Sequence, residues 1–73
     1  MLEVTVTRTV TSPEYQVFES QVRVYGFDRL TPRAARAALE IAFGNSTSGE
    51  VWSEGYGYRI YENSARKLRA DQF

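Results

Sequence analysis

Apolar and polar residues alternate from the start of the chain. Over residues 2–10, Leu2, Val4, Val6 and Val10 fall on one side and Glu3, Thr5, Thr7 and Thr9 on the other, the period of a strand with one buried face. Arg8 interrupts the apolar side, which places it near an edge. Thr11-Ser12-Pro13-Glu14 reads as a turn, because proline fixes φ and removes a donor. Residues 15–25 read as a second strand, with Phe18, Val22 and Val24 on one parity and Tyr15, Val17 and Tyr25 on the other. Pairing Val4 with Val22 and Leu2 with Val24, around a loop at 12–14, puts the two apolar sets on one face. A bulge near Glu19-Ser20 is the alternative and buries both parities.

After a connector at Gly26-Phe27-Asp28-Arg29 the period changes. Thr31 is placed to cap a helix and Pro32 to open it, where a missing N–H costs nothing. Leu30 is the outer half of a hydrophobic staple, and Gly44 supplies the left-handed residue that ends the helix. Ala35, Ala38, Leu39 and Ala42 form the buried stripe, widened by Ile41 or Phe43, while Arg33, Arg36 and Glu40 form the wet face. Alanine on the core side lets the helix approach a sheet closely.

The stretch Gly44-Asn45-Ser46-Thr47-Ser48-Gly49 reads as a loop. Beyond it, a turn at Glu54-Gly55 sets Val51 opposite Tyr58 and Trp52 over Gly57; one strand bent at Gly55 is the alternative. Tyr56, Tyr58 and Ile60 share one face, and Trp52, Arg59 and Tyr61 the other. Residues 63–73 read as a basic tail, flexible or helical, with a short helix over 64–70 capped by Asn63 or Ser64. The expected architecture over 1–73 is a single small α+β domain: an antiparallel ββαβ or ββαββ sheet with one helix on one face. A core this small contributes roughly 3–5 kcal/mol net.

Composition narrows the chemistry. The 73 residues contain no Cys and no His. Disulfides, thiol nucleophiles and Cys-based zinc sites are excluded, and the commonest neutral-pH base and metal ligand is missing. Nine basic residues balance nine acidic ones, unlike a chain built to coat nucleic acid. Lys67 lies in the charged tail as an ordinary solvated amine, and Glu50 and Glu54 read as solvated hairpin charges rather than an acid–base pair. No Walker loop is present, and Gly55-Tyr56-Gly57-Tyr58 precedes no helix of the kind a nucleotide fingerprint needs. The expectation is a protein that is not an enzyme and holds no cofactor or metal. No apolar run approaches the roughly 20 residues of a membrane span, and the first residues lack a secretory pattern, so a cytoplasmic location is expected.

Two features point to binding. Arg29, Arg33 and Arg36 cluster where a helix starts, against the macrodipole, a surface suited to carboxylates or phosphates; the bland alternative is a soluble face countered by Asp28 and Glu40. Trp52, Tyr56, Tyr58 and Tyr61, interleaved with Arg59, exceed what one short helix covers, and such residues dominate interface hot spots; the bland alternative is ordinary strand packing. The leading expectation is a non-catalytic protein binder, acting as a monomer or a homodimer. Second is a nucleic-acid module using Arg29, Arg33, Arg36, Arg66, Lys67 and Arg69 on phosphates, with rings on bases.

Two strands, an alanine-rich helix and aromatic closing strands within some 70 residues resemble small phage-encoded inhibitors of the anti-CRISPR type. The resemblance is one of architecture and size. It implies an inhibitor that occludes a surface of a host CRISPR or other nucleoprotein complex in the host cytoplasm. The arginine cluster would then meet an acidic patch or guide phosphates, and the rings would fill a pocket.

Overall fold

In the computed structural model, which describes residues 2–70, the alternating run at the start of the chain is strand β1 (Leu2–Thr11), antiparallel to β2 (Val17–Phe27). Its apolar side faces the core: Val4 and Val6 are fully buried, and Val24 nearly so. The register is two residues away from the expected one, with Val4 opposite Val24 and Val6 opposite Val22. The turn is the reason. Ser12 and Gln16 close the ladder through a 2.8 Å bond from the Ser12 N–H to the Gln16 carbonyl, and Tyr15, at φ 62°, supplies the left-handed third residue of the loop. The chain therefore reverses about Glu14 instead of Pro13. An even shift preserves parity, so the same residues stay on the buried face. Gly26 and Phe27 belong to β2, where the register slips between Leu2 and Glu3 at a bulge.

Helix α1 (Pro32–Phe43) follows its sequence signals. The Thr31 hydroxyl accepts from the Ala34 N–H at 3.1 Å, and Gly44, at φ 70°, donates its N–H to the Glu40 carbonyl at 2.7 Å. Leu30 joins Ala35 in the core on the near side of the cap. Ala35, Ala38 and Leu39 are completely buried against the sheet, whereas Ile41 is 67% exposed; Phe43, half-buried, is the residue that widens the stripe.

Strands β3 (Ser48–Trp52), β4 (Tyr56–Tyr61) and β5 (Ser64–Arg69) complete one antiparallel sheet in the order β2-β1-β3-β4-β5. Of the two alternatives the hairpin forms, turning at Glu54-Gly55 with Val51 opposite Tyr58 and Trp52 opposite Gly57. The helix expected over 64–70 does not form. Ala65 and Leu68, three residues apart, fall on opposite faces of β5; the open edge of β4 satisfies the backbone of 64–69 as a strand, and Leu68, opposite Gly57, is left only 8% exposed. Residues 71–73 of the expected tail lie outside the described residues. The connection from β2 through α1 returns the chain to the other side of β1, so the first strand is interior, β3 is central, and β2 and β5 are the edges. A Cβ on Gly49 would come within 2.5 Å of the Leu39 Cδ1, so this glycine makes the seat for the largest buried side chain of the helix.

Candidate interaction surface

One helix covers one side of the sheet. Strand parity assigns the other side to Glu3, Thr5, Thr7 and Thr9 of β1, to Val17, Glu19, Gln21, Arg23 and Tyr25 of β2, and to Glu50 and Trp52 of β3. Gly57, Arg59 and Tyr61 of β4 and Ser64, Arg66 and Leu68 of β5 complete it. No described element lies over this face.

Its centre is ordered by side chains. Trp52 and Leu68 flank Gly57 in one cross-strand row. A Cβ on Gly57 would meet the Trp52 ring at 2.7 Å, so the indole rests directly on the backbone of β4. Its Nε1–H donates to the Glu50 Oε1 at 2.9 Å, and the Arg59 Nε–H donates to the Glu50 Oε2 at 3.0 Å. Glu50 thereby fixes the rotamers of an indole and a guanidinium at once. Arg66 stands directly opposite Arg59 on β5, a like-charge neighbour that an acceptor from outside would relieve. Tyr25 and Tyr61 are both 63% exposed toward the two ends of the face. Glu3 and Arg23 approach to 3.5 Å at an exposed position and contribute little to stability.

Beyond Thr7 and Glu50 the β1–β3 ladder stops, and the end of the first hairpin diverges from β3. A cleft of about 370 Å³ opens there, lined by Thr9, Glu19, Ser48, Glu50, Arg59 and Tyr61 among others. Within it Glu50 is already paired with Arg59, and Glu19 accepts from the Gln21 side chain. Among the described residues there is no group of three or more acidic side chains placed to hold a metal ion, and no helix is long and apolar enough to cross a membrane.

The residues singled out from the sequence are divided between the two sides of the molecule. Trp52, Arg59 and Tyr61 stand on the bare face. Tyr56 and Tyr58 point to the helix side: Tyr58 is 9% exposed, its ring edge-on to Tyr56 at 6.2 Å, and the Tyr56 hydroxyl donates to the Leu30 carbonyl at 2.9 Å. Arg36 is spent on the fold, donating to the Glu62 carbonyl at 2.9 Å and the Ser64 carbonyl at 3.1 Å across the β4–β5 turn. Arg29 and Arg33 are exposed at the start of the helix. The arginine cluster and the aromatic set thus do not form one surface. Tyr25, Glu50, Arg66 and Leu68 join the bare face; Arg66, expected in a basic tail, stands instead on a strand of the sheet, and Leu68 is concealed when residues 64–70 are read as a helix. Comparisons of the chain with protein-family models, with curated protein sequences and with solved structures return no match.

Proposed function

We propose that this protein is a non-catalytic binding domain that works by covering the surface of another protein, and that the bare sheet face is what it presents. In the form suggested by its resemblance to small phage inhibitors, the partner is a nucleoprotein effector. One observation carries the reading: a five-stranded sheet with a single helix leaves one face without a covering element, and that face exposes Tyr61 and Tyr25 beside the half-buried Trp52 among charged side chains. Rigid aromatics with two side-chain torsions, beside arginine, are the residues that supply binding energy at protein interfaces.

The charges on the face favour protein over nucleic acid. Glu3, Glu19 and Glu50 balance Arg23, Arg59 and Arg66. A face tracking a phosphate chain gains its affinity from an excess of cations, and an equal mixture of signs forgoes it. An equal mixture suits a partner of mixed charge, where it fixes orientation and excludes wrong partners.

The test is affinity capture from a bacterial lysate with three forms of the chain. Tyr61→Ala combined with Arg66→Glu alters the bare face, and Arg29→Glu combined with Arg33→Glu alters the helix side. The expected result is loss of the captured protein with the first pair and retention with the second. Retention with the first and loss with the second would move the site to the helix start. Trp52 fluorescence during addition of short RNA or DNA at low salt checks the competing class; saturable binding at tens of micromolar would replace the protein partner by a nucleic acid.

A further inference from the structure

The two edges of the sheet are built differently. Edge strand β5 carries Arg66, Lys67 and Arg69 within six residues and no acid, so a second β5 beside it would meet cations with cations. That is an edge protected against pairing. Edge strand β2 runs for 11 residues without proline or lysine, bonded to β1 on one side only among the described residues. Its outward N–H and C=O groups are a template for another strand. The strand also leaves Val17 66%, Phe18 54% and Tyr25 63% exposed. Ile41, 67% exposed, is on the flank of the helix away from Arg36: it is five residues from Arg36, about 140° around the helix at about 100° per residue, and Arg36 reaches the β4–β5 turn at the opposite end of the sheet from β2.

We propose that two copies of this chain pair antiparallel along β2 about a two-fold axis at Gln21, joining their sheets into one. The sequence of β2 is self-complementary about that point. Glu19 falls opposite Arg23 of the second copy, and Arg23 opposite its Glu19. On the same face Val17 falls opposite Tyr25, so two exposed apolar side chains cover each other at each end. On the helix side Phe18 falls opposite Val24 and gains an apolar neighbour beside the flank that carries Ile41. Sliding the register by two residues either way destroys the match. Glu19 then meets Gln21 or Tyr25, and Arg23 meets Val17 or Gln21.

The axis stands perpendicular to the sheet, so both helices lie on one side and the two bare faces run together on the other. This assembly does not depend on the proposed binding role, because capture of a partner and pairing of copies are read by separate measurements.

The test is sedimentation of the full chain over a concentration series up to the near-millimolar range, with circular dichroism to confirm that each variant is folded. The wild type is expected to dimerise reversibly. Arg23→Glu opposes Glu to Glu at two symmetric places and raises the dissociation constant by about tenfold or more. Adding Glu19→Arg restores opposite charges only in this register and recovers the dimer. Gln21→Cys provides a second readout in a chain that has no native cysteine. Across an antiparallel pair the Cα atoms are roughly 4.5–5.5 Å apart, within the roughly 4.4–6.8 Å of a disulfide, so the variant cross-links under mild oxidation. Asn63→Cys, in the opposite hairpin, should not cross-link. A wild type that remains monomeric throughout, a folded Arg23→Glu variant that dimerises unchanged, or a folded double variant that fails to recover would each overturn the proposal.

Discussion

The indole of Trp52 rests on Gly57, its partner across the β3–β4 ladder, closely enough that a methyl group there would lie 2.5 Å from the Val51 carbonyl oxygen and 2.7 Å from the ring. Gly57→Ala therefore pushes on backbone and indole together. We expect a loss of about 1–3 kcal/mol, the usual cost of overpacking. Displacement of the ring should also shift its emission to the red. The chain has one tryptophan, so a thermal melt followed by fluorescence reads both effects from one signal.

Tyr56 ties strand β4 to the residue before the helix cap, through its 2.9 Å hydroxyl bond to the Leu30 carbonyl. Tyr56→Phe keeps the ring, its edge-on neighbour Tyr58 and the Lys67 ammonium 5.1 Å from its centroid. It removes only the donor. The expected cost is about 1 kcal/mol, seen as a lower urea midpoint with an unchanged slope. A changed slope would mean that the helix had come away from the sheet.

Tyr15 occupies the left-handed position of the first hairpin loop, at φ 62° and 89% exposed. An L side chain there is strained by roughly 1–2 kcal/mol, and its removal leaves no cavity. Tyr15→Gly should raise stability by about 0.5–1 kcal/mol once the greater freedom of the unfolded glycine chain is deducted. Calorimetry of the two proteins under one buffer condition decides it.

The arginines at the helix start separate by role. Arg36→Ala removes two donors from the carbonyls of the β4–β5 turn and should cost about 1–2 kcal/mol at this part-exposed site. Arg33→Ala, at an exposed position, should stay within about 0.5 kcal/mol of the parent. Equal stability of the two variants in denaturant would show that the turn does not need Arg36.

Most of the fold is legible because its signals are local and agree with one another. Thr31, Pro32 and Gly44 mark the helix from both ends, and Val4, Val6 and Val24 mark the buried face by parity alone. The β3–β4 register follows once the chain turns at Glu54-Gly55, but the sequence alone leaves one strand bent at Gly55 equally open. Two things were not local. The register of the first hairpin depends on whether the residue after Glu14 adopts a left-handed backbone, and tyrosine gives no hint of that. The fate of residues 64–69 depends on β4 offering an open edge, and a short basic segment satisfies both helix and strand composition until that edge exists. The candidate site was legible by type and illegible by side. Trp52, Arg59 and Tyr61 alternate with Tyr58 and Ile60, but only the position of the helix decides which set is covered. Arg36 looked like a free cation because its acceptors, two backbone carbonyls, lie 26 and 28 residues away.

Strands β1 and β3 meet over just three residue pairs, Thr5 with Trp52, Val6 with Val51 and Thr7 with Glu50, while each joins its own chain neighbour over a longer ladder. The molecule is thus a hairpin and a three-stranded meander stitched along a short seam, with the helix laid across as a clasp. The contacts within each half are local in sequence, whereas the stitch must await closure over β2 and α1, which lie between β1 and β3. Leu39, seated over Gly49 at the margin of that seam, is the pin of the clasp. Shortening it would loosen the coupling that makes two locally folded pieces unfold as one.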